Sequence, residues 1–213
     1  MRTAFRLGVP LWTLIVSALG ALGACGQKSS GGASPYPASA PTGPCGAVVQ
    51  QQAIEGFTHV AVCSVVDYGT KPPSSGNHYP IWAAYKNYTT PVPEGFWVHN
   101  LEHGTIVLSY NCPNGCDSDV TAAAQMLAGL PEDPECVSLG QGVARRSLMT
   151  PDPKLDVTFA ASAWGWTLRA ACFDPVAFQA FAIAHYKQGR EDICEDGEDP
   201  TGNYPANCGD EDQ

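Results

Sequence analysis

The sequence predicts an α+β fold: a single compact domain with a mainly antiparallel sheet and about two packed helices, stapled by disulfides. Strand-like runs rich in β-branched and aromatic residues are interspersed with two helical patterns, and most of the predicted strands are joined by short loops, which favours antiparallel pairing. The chain has 213 residues and 44% hydrophobic content, enough to bury one core. The chain has nine cysteines, enough to form several disulfides.

The strands are predicted from short β-forming runs. We expect them at residues 58–68, 96–98, 105–110, 142–149 and 157–164, with residues 165–172 continuing or pairing with the last of these. Between the second and third runs, Asn100 and Gly104 both tolerate left-handed backbone angles. A strand, a tight reversal at residues 100–102 and a second strand are therefore predicted there.

Two helices are predicted from apolar spacing and end signals. The first covers residues 117–129 and carries an apolar stripe at helical spacing: Val120, Ala123, Ala124 and Leu127. The second begins with Asp174 as its cap and Pro175 at its first position, and ends near Gly189.

The first residues are typical of an export signal. Arg2 and Arg6 precede an apolar run, residues 7–19, that is too short to span a bilayer. Residues 22–25, Leu-Gly-Ala-Cys, resemble the lipobox of bacterial lipoproteins, which predicts a signal peptide at residues 1–24 and lipidation of Cys25. The alternative is an ordinary secretory signal with an incidental cysteine. We expect attachment to the cell envelope through this lipid, at the outer membrane of a two-membrane cell because Gly26 is not an obvious retention signal.

The mature chain divides into three parts. Residues 25–44, rich in Ser, Gly, Ala and Pro, are predicted to be a flexible linker, and residues 45–190 the folded domain. Residues 191–213 hold nine acids and no basic residue, which predicts a solvated, partly disordered tail without the ligand spacing of a calcium loop. Without the signal the formal charge is −12, which disfavours nucleic acid as a partner.

Eight cysteines remain beyond Cys25, and an even number in an exported chain indicates disulfides. Their connectivity cannot be deduced from the sequence. Two local pairs are plausible, Cys112 with Cys116 and Cys194 with Cys208. A soft-metal site at Cys112 and Cys116 would need reduced thiolates, which an oxidising compartment disfavours.

Three histidines, His78, His99 and His103, fall in predicted loops or turns. Neutral imidazole is a common ligand of zinc and copper, so the cluster predicts a transition-metal site with Glu102 as fourth ligand or as a partner of the ligands. Two alternatives stay open: the histidines brace loops through backbone hydrogen bonds, or they perform acid–base catalysis without metal. His185 lies on the apolar face of the second helix and fits a core histidine better than a ligand.

The spacing His99-x-x-Glu102-His103 also matches the inverted zinc-protease pattern. That mechanism requires a long helix presenting both histidines to zinc and the glutamate to a water molecule. The β-forming residues at both ends of the segment predict no such helix. A protease is therefore disfavoured, although a metal-dependent hydrolase remains an alternative function. His59 opens a predicted strand, and strand alternation does not decide which way it points.

Three motifs in order carry a resemblance to a known family. They are Pro-Pro-Ser-Ser-Gly-Asn-His at residues 72–78, Val-His-Asn-Leu-Glu-His-Gly at residues 98–104, and Ala-Trp-Gly at residues 163–165 followed by a helix with Phe181. Together they resemble the bacterial domain of unknown function 3105, over about residues 57–191. The resemblance implies a shared fold and shared polar residues but no activity. The expected function is thus a lipid-anchored envelope protein that binds a transition metal or serves as a structural or interaction module.

Overall fold

A computed structural model of the protein describes residues 34–205 and 207–210. The predicted signal peptide, Cys25 and the first part of the linker lie outside the described residues. Within the described part of the chain, no helix has the length and apolar character needed to cross a membrane.

The core of the fold is a five-stranded sheet in the order β1-β5-β4-β2-β3. Its strands are β1 (Val48–Gln51), β2 (Ile106–Tyr110), β3 (Ser147–Pro151), β4 (Phe159–Ala163) and β5 (Trp166–Ala170). Every neighbouring pair is antiparallel except β2 with β3. The predicted α+β fold with a mainly antiparallel sheet is confirmed.

Four helices flank the sheet: α1 (Glu94–Glu102), α2 (Asp117–Ala128), α3 (Pro134–Leu139) and α4 (Pro175–His185). Both predicted helices are present, as α2 and α4. The Asp174 side chain caps α4 by accepting hydrogen bonds from the backbone N–H groups of Val176 and Ala177, which satisfies donors that the first turn leaves unpaired. Helix α4 ends at His185, four residues before the predicted Gly189.

The two faces of the sheet carry separate cores. Leu108 of β2 packs in the core beneath α2 and α4, whereas the preceding residue, Val107, packs in the core beneath α1. Successive strand residues point to opposite faces, so β2 is buried on both. The burial of β2 between β4 and β3 explains why the chain that leads into it, from α1, is also held in the interior.

Two predicted strands are absent. Residues 96–98 lie inside α1, and residues 58–68 contain only an isolated bridge from His59 to His78. Phe96, Trp97 and Val98 favour strands locally, but all three are fully buried in α1. Burial on every side of a helix removes the amphipathic period by which a helix is recognised, and tertiary packing overrides the local preference.

Four disulfides join cysteines that are mostly remote in sequence: Cys45–Cys172, Cys63–Cys208, Cys112–Cys116 and Cys136–Cys194. The local pair around residues 113–115 is confirmed. The predicted Cys194–Cys208 pair is wrong, because each of these cysteines reaches a different segment of the domain. The described part of the acidic segment is consequently attached at two points, and Glu198 also exchanges backbone hydrogen bonds with Trp82 and Ala84.

Candidate metal site

Helix α1 supplies two of the polar side chains of the site. His99 and Glu102 lie three residues apart near its C-terminal end, a spacing that places them on one face, and both are buried. Gly104 then adopts a left-handed conformation with φ +82°, which turns the chain from the helix into β2.

A loop preceding α1 places His78 beside His99. The Asn100 side chain accepts a hydrogen bond from the backbone N–H of Ala83 (2.9 Å) and donates one to the Ala83 carbonyl (2.8 Å), which ties this loop to the helix. His78 is paired in turn with the segment before it: its N–H donates to the Thr58 carbonyl (3.1 Å), and the Val60 N–H donates to the His78 carbonyl (2.8 Å). This pairing carries His59 to the same place.

Four ligand atoms converge at this point, one each from His59, His78, His99 and Glu102, and all lie within 4.8 Å of one another. The three imidazole centroids are 4.7–5.1 Å apart. A tetrahedral ion with bonds of about 2.0–2.1 Å holds its ligand atoms about 3.4 Å apart, so closing the four atoms onto one ion requires movements of about 1 Å. The arrangement is close to a coordination sphere.

The two buried imidazoles have a defined tautomer when neutral. The Nδ1 of His99 is 2.7 Å from the Tyr79 carbonyl oxygen, and the Nδ1 of His78 is 2.8 Å from the Gly76 carbonyl oxygen. A carbonyl only accepts hydrogen bonds, so each Nδ1 carries the proton and each neutral ring presents its lone pair at Nε2. Burial lowers the pKa of His99 to about 3, helped by the adjacent His103, and burial likewise lowers the pKa of His78.

Glu102 faces one of these lone pairs. Its Oε2 is 3.0 Å from the Nε2 of His78, and that nitrogen has no other polar partner within the described part of the chain. When His78 is neutral, the lone pair of its Nε2 and the carboxylate oxygen of Glu102 therefore face each other in the protein interior, which is a repulsive contact. A cation or a proton between the two atoms would make the contact attractive. The other carboxylate oxygen, Oε1, accepts a hydrogen bond from Arg190 (2.8 Å).

Arg190 belongs to a strap, residues 187–191, that crosses the end of α1. The Lys187 N–H donates to the Gly104 carbonyl (2.9 Å), and the Glu191 N–H donates to the Glu102 carbonyl (2.8 Å). Between them, a Cβ at Gly189 would lie 2.2 Å from the Gly104 nitrogen. Only glycine permits this approach, which brings Arg190 onto Glu102.

His103, also predicted as a ligand, lies beside the converging atoms and is not one of the four. Its ring is 4.6 Å from the His99 ring and 4.8 Å from Trp82, and its Nε2 is 3.7 Å from a carboxylate oxygen of Glu191. Burial lowers the pKa of His103 to about 4, with His78 contributing. His185 lies against Trp166 and Phe181, which pack in the core on the opposite side of the sheet.

His59 and Arg190 are the members of the site that sequence reasoning missed. The sequence does not decide which way His59 points, and it gives no signal for Arg190, because 88 residues separate Arg190 from Glu102. That His78 and His99 bind metal, with Glu102 as fourth ligand, stays a prediction. The structure adds the distances between these three side chains.

The structure also corrects the reason given against a zinc protease. A helix is present after all, and it carries both His99 and Glu102. The roles nevertheless differ from that pattern, which needs both histidines on the metal and the glutamate turned to water. Here Glu102 faces His78 and Arg190, and His103 lies outside the converging set.

Comparison with known proteins places most of the domain in one family. A family profile described as "Protein of unknown function (DUF3105)" matches residues 59–201, a range that begins at His59 and includes Glu102 and Arg190. Neither the curated proteins nor the solved structures yield a match.

Proposed function

The chain belongs to the DUF3105 family of proteins of unknown function, and on that premise we propose that it binds one divalent transition-metal ion through His59, His78, His99 and Glu102. The observation that carries the proposal is the 3.0 Å approach of the His78 Nε2 lone pair to the Glu102 carboxylate in a buried place. A bound cation turns this repulsion into two coordination bonds. The hydrogen bonds at Nδ1 of His78 and His99 are the outer contacts that orient histidine ligands in metal sites.

The ligand set favours zinc or copper(II). Three imidazole nitrogens suit both ions, and a carboxylate oxygen is a hard ligand that disfavours copper(I). Every cysteine in the described residues is in a disulfide, so no thiolate is available there to create a soft site. Zinc accepts four ligands in tetrahedral geometry without strain, whereas copper(II) binds more tightly to most nitrogen and oxygen ligands.

Metal analysis of tag-free protein tests the proposal. We expect one ion per chain after dialysis against zinc or copper(II), with a Kd below micromolar in competition with a chelator. His99→Asn should weaken binding at least 100-fold, because it removes a buried ligand. His185→Gln is the matched control, a histidine outside the site, and should leave affinity unchanged. Wild-type protein that binds no metal would refute the proposal.

A bracing role is the second candidate, because the Nδ1 hydrogen bond of His99 to the Tyr79 carbonyl holds the loop against α1, and that of His78 to the Gly76 carbonyl shapes the loop itself. It predicts that His99→Asn lowers the melting temperature in the presence of chelator and that the wild type gains no stability from added zinc. Metal binding instead predicts a zinc-dependent rise in melting temperature that His99→Asn abolishes, since a ligand that binds only the folded state stabilises it.

We also propose that the protein is exported and attached to the cell envelope through a lipid on Cys25. The charged and apolar start of the chain supports export, and four disulfides are typical of an oxidising compartment. Metabolic labelling with an alkyne fatty acid should mark the wild type, and Cys25→Ser should abolish the label. Labelling that persists in Cys25→Ser would contradict the assignment of the lipidated residue.

A further inference from the structure

Resting on the proposed metal site, we infer that His59 is an exchangeable ligand and that a small carboxylate anion takes its place on the metal, with its second oxygen paired to Arg190. This names a ligand class and a mode of regulation for the site. The inference stands on the unequal burial of the four ligands, on their unequal anchoring, and on the neighbourhood of His59.

The first difference among the ligands is burial. His78 and Glu102 are at most 1% exposed and His99 is 3% exposed, whereas His59 is exposed to solvent. Three ligands therefore lie within the protein and one closes the site from outside. An exposed imidazole that leaves the metal is rehydrated at little cost, whereas the ligand atoms of the other three would be left in the core without the metal as a partner.

The second difference is anchoring. His78 and His99 are each held at Nδ1 by a backbone carbonyl, but no hydrogen bond to the His59 ring is found among the described residues. The backbone of His59 is held by the pairing of residues 58–60 with His78, so only its side chain has to rotate to vacate the position. Two histidines and a glutamate then remain, a ligand count with which zinc keeps a fourth position for an external ligand.

The neighbourhood of the vacated position favours an anion. Glu102 links His59 to Arg190: its ligand atom lies within 4.8 Å of that of His59, and its Oε1 accepts a hydrogen bond from Arg190 (2.8 Å). The Arg190 guanidinium lies over the Phe57 ring, 4.3 Å from its centroid, and its side chain is 45% exposed. Arg190 and His59 therefore border the same opening of the site.

Arg190 has donors to spare. Its Nη1 contacts Glu102 and Glu191, whereas no partner for its Nη2 or Nε is found in the described part of the chain. A carboxylate matches the planar donor geometry of a guanidinium, and one carboxylate can bridge it to an adjacent metal ion. The positive charges of a divalent ion and Arg190 exceed the negative charges of Glu102 and Glu191 by one. A single bound carboxylate neutralises this remaining positive charge.

Cobalt(II) substitution tests the inference because its visible spectrum reports the number and kind of ligands. Acetate is the probe, and acetamide is the neutral control of the same shape. Wild-type cobalt protein should change its spectrum with millimolar acetate and not with acetamide. His59→Ala should retain cobalt with a loss of affinity of about 10–100-fold, bind acetate at least tenfold more tightly than the wild type, and recover the wild-type spectrum with free imidazole.

Arg190 is tested in the His59→Ala background, where nothing competes for the position. With cobalt supplied at a saturating concentration, Arg190→Gln should weaken acetate binding about tenfold or more, because one charge-assisted contact is lost. Circular dichroism checks that each variant folds.

The outcomes separate the two proposals. Wild-type protein that binds no metal overturns both. If His59→Ala binds metal with unchanged affinity, His59 is not a ligand. If His59→Ala loses the metal completely, as expected for His99→Asn, the site is a closed four-ligand site. Either result, or a spectrum that acetate leaves unaltered in both proteins, overturns the inference alone.

Discussion

Gly189→Ala is the sharpest test of how the strap builds the site. The added Cβ would lie 2.2 Å from the Gly104 nitrogen and 2.3 Å from the Glu102 carbonyl oxygen, both backbone atoms that cannot rotate away. Ordinary contact needs about 3.4 Å or more, so the strap must retreat by about 1 Å. The backbone of Gly189 is not in the left-handed region, so the collision alone causes the effect.

The magnitude follows from the contacts that would be lost. Two backbone hydrogen bonds join the strap to Glu102 and Gly104, each contributing about 0.5–1.5 kcal/mol. Overpacking adds about 1–3 kcal/mol, so we expect a loss of about 2–6 kcal/mol in the free energy of unfolding. Arg190 would move off Glu102 at the same time, which should weaken metal binding about 10–100-fold.

Urea denaturation of metal-free protein and chelator competition measure the two effects separately. Gly129→Ala is the matched control: its Cβ would meet the nearest atom at 3.4 Å, and its backbone angles also suit alanine. The control should stay within about 0.5 kcal/mol of the wild type. If Gly189→Ala were equally mild, the strap would not be the close contact that positions Arg190.

Three further predictions concern the buried polar groups. Glu102→Gln should abolish tight metal binding yet leave the metal-free protein as stable or about 1 kcal/mol more stable, because the new amide can donate to the His78 Nε2 while its oxygen still accepts from Arg190. Metal-free protein should lose stability as the pH falls below about 6.5, by up to about 1.4 kcal/mol per pH unit for each histidine. The reason is that histidines of the unfolded chain take up protons in this range, whereas burial lowers the pKa of His99 to about 3 and that of His103 to about 4, so both stay neutral in the folded protein. Arg146→Met should cost about 3–5 kcal/mol, since Arg146 is fully buried and its loss leaves acidic partners and the His103 carbonyl unpaired.

Urea denaturation checks all three predictions. For the pH series, chelator-treated protein is compared at pH 4.5 and 7.5, and equal stability at both would contradict the neutral buried histidines. Arg169→Gln is the control for Arg146→Met, because Arg169 makes an ion pair with exposed Asp156 that is worth less than about 1 kcal/mol. A Glu102→Gln variant that still bound zinc tightly would remove Glu102 from the ligand set.

The parts of the fold that the sequence predicted well are those with local signals. Helix α4 was recognisable because Asp174 and Pro175 mark its start, and α2 because its apolar residues recur at helical spacing. Helix α1 had no such signal: its aromatic and β-branched residues are buried on all sides, so its sequence reads as a strand. The consequence was an incorrect shape for the segment that holds His99 and Glu102.

The disulfides show the same division. Cys112 and Cys116 are four residues apart, and their pairing could be inferred from a short turn. Cys63 and Cys208 are 145 residues apart, and nothing in either local sequence indicates the other. Spatial proximity at that separation depends on how the whole domain packs, which the count of cysteines does not encode.

The sequence by itself determined the chemistry that is available: an α+β domain, an even set of cysteines, and histidines clustered with a glutamate. Only the tertiary structure decided which of these groups meet. His99 and Glu102 share a face because a helix repeats every 3.6 residues, a local rule. His59, His78 and Arg190 reach them through loop pairing and a glycine-to-glycine crossing at Gly104 and Gly189, contacts between remote segments that packing alone creates.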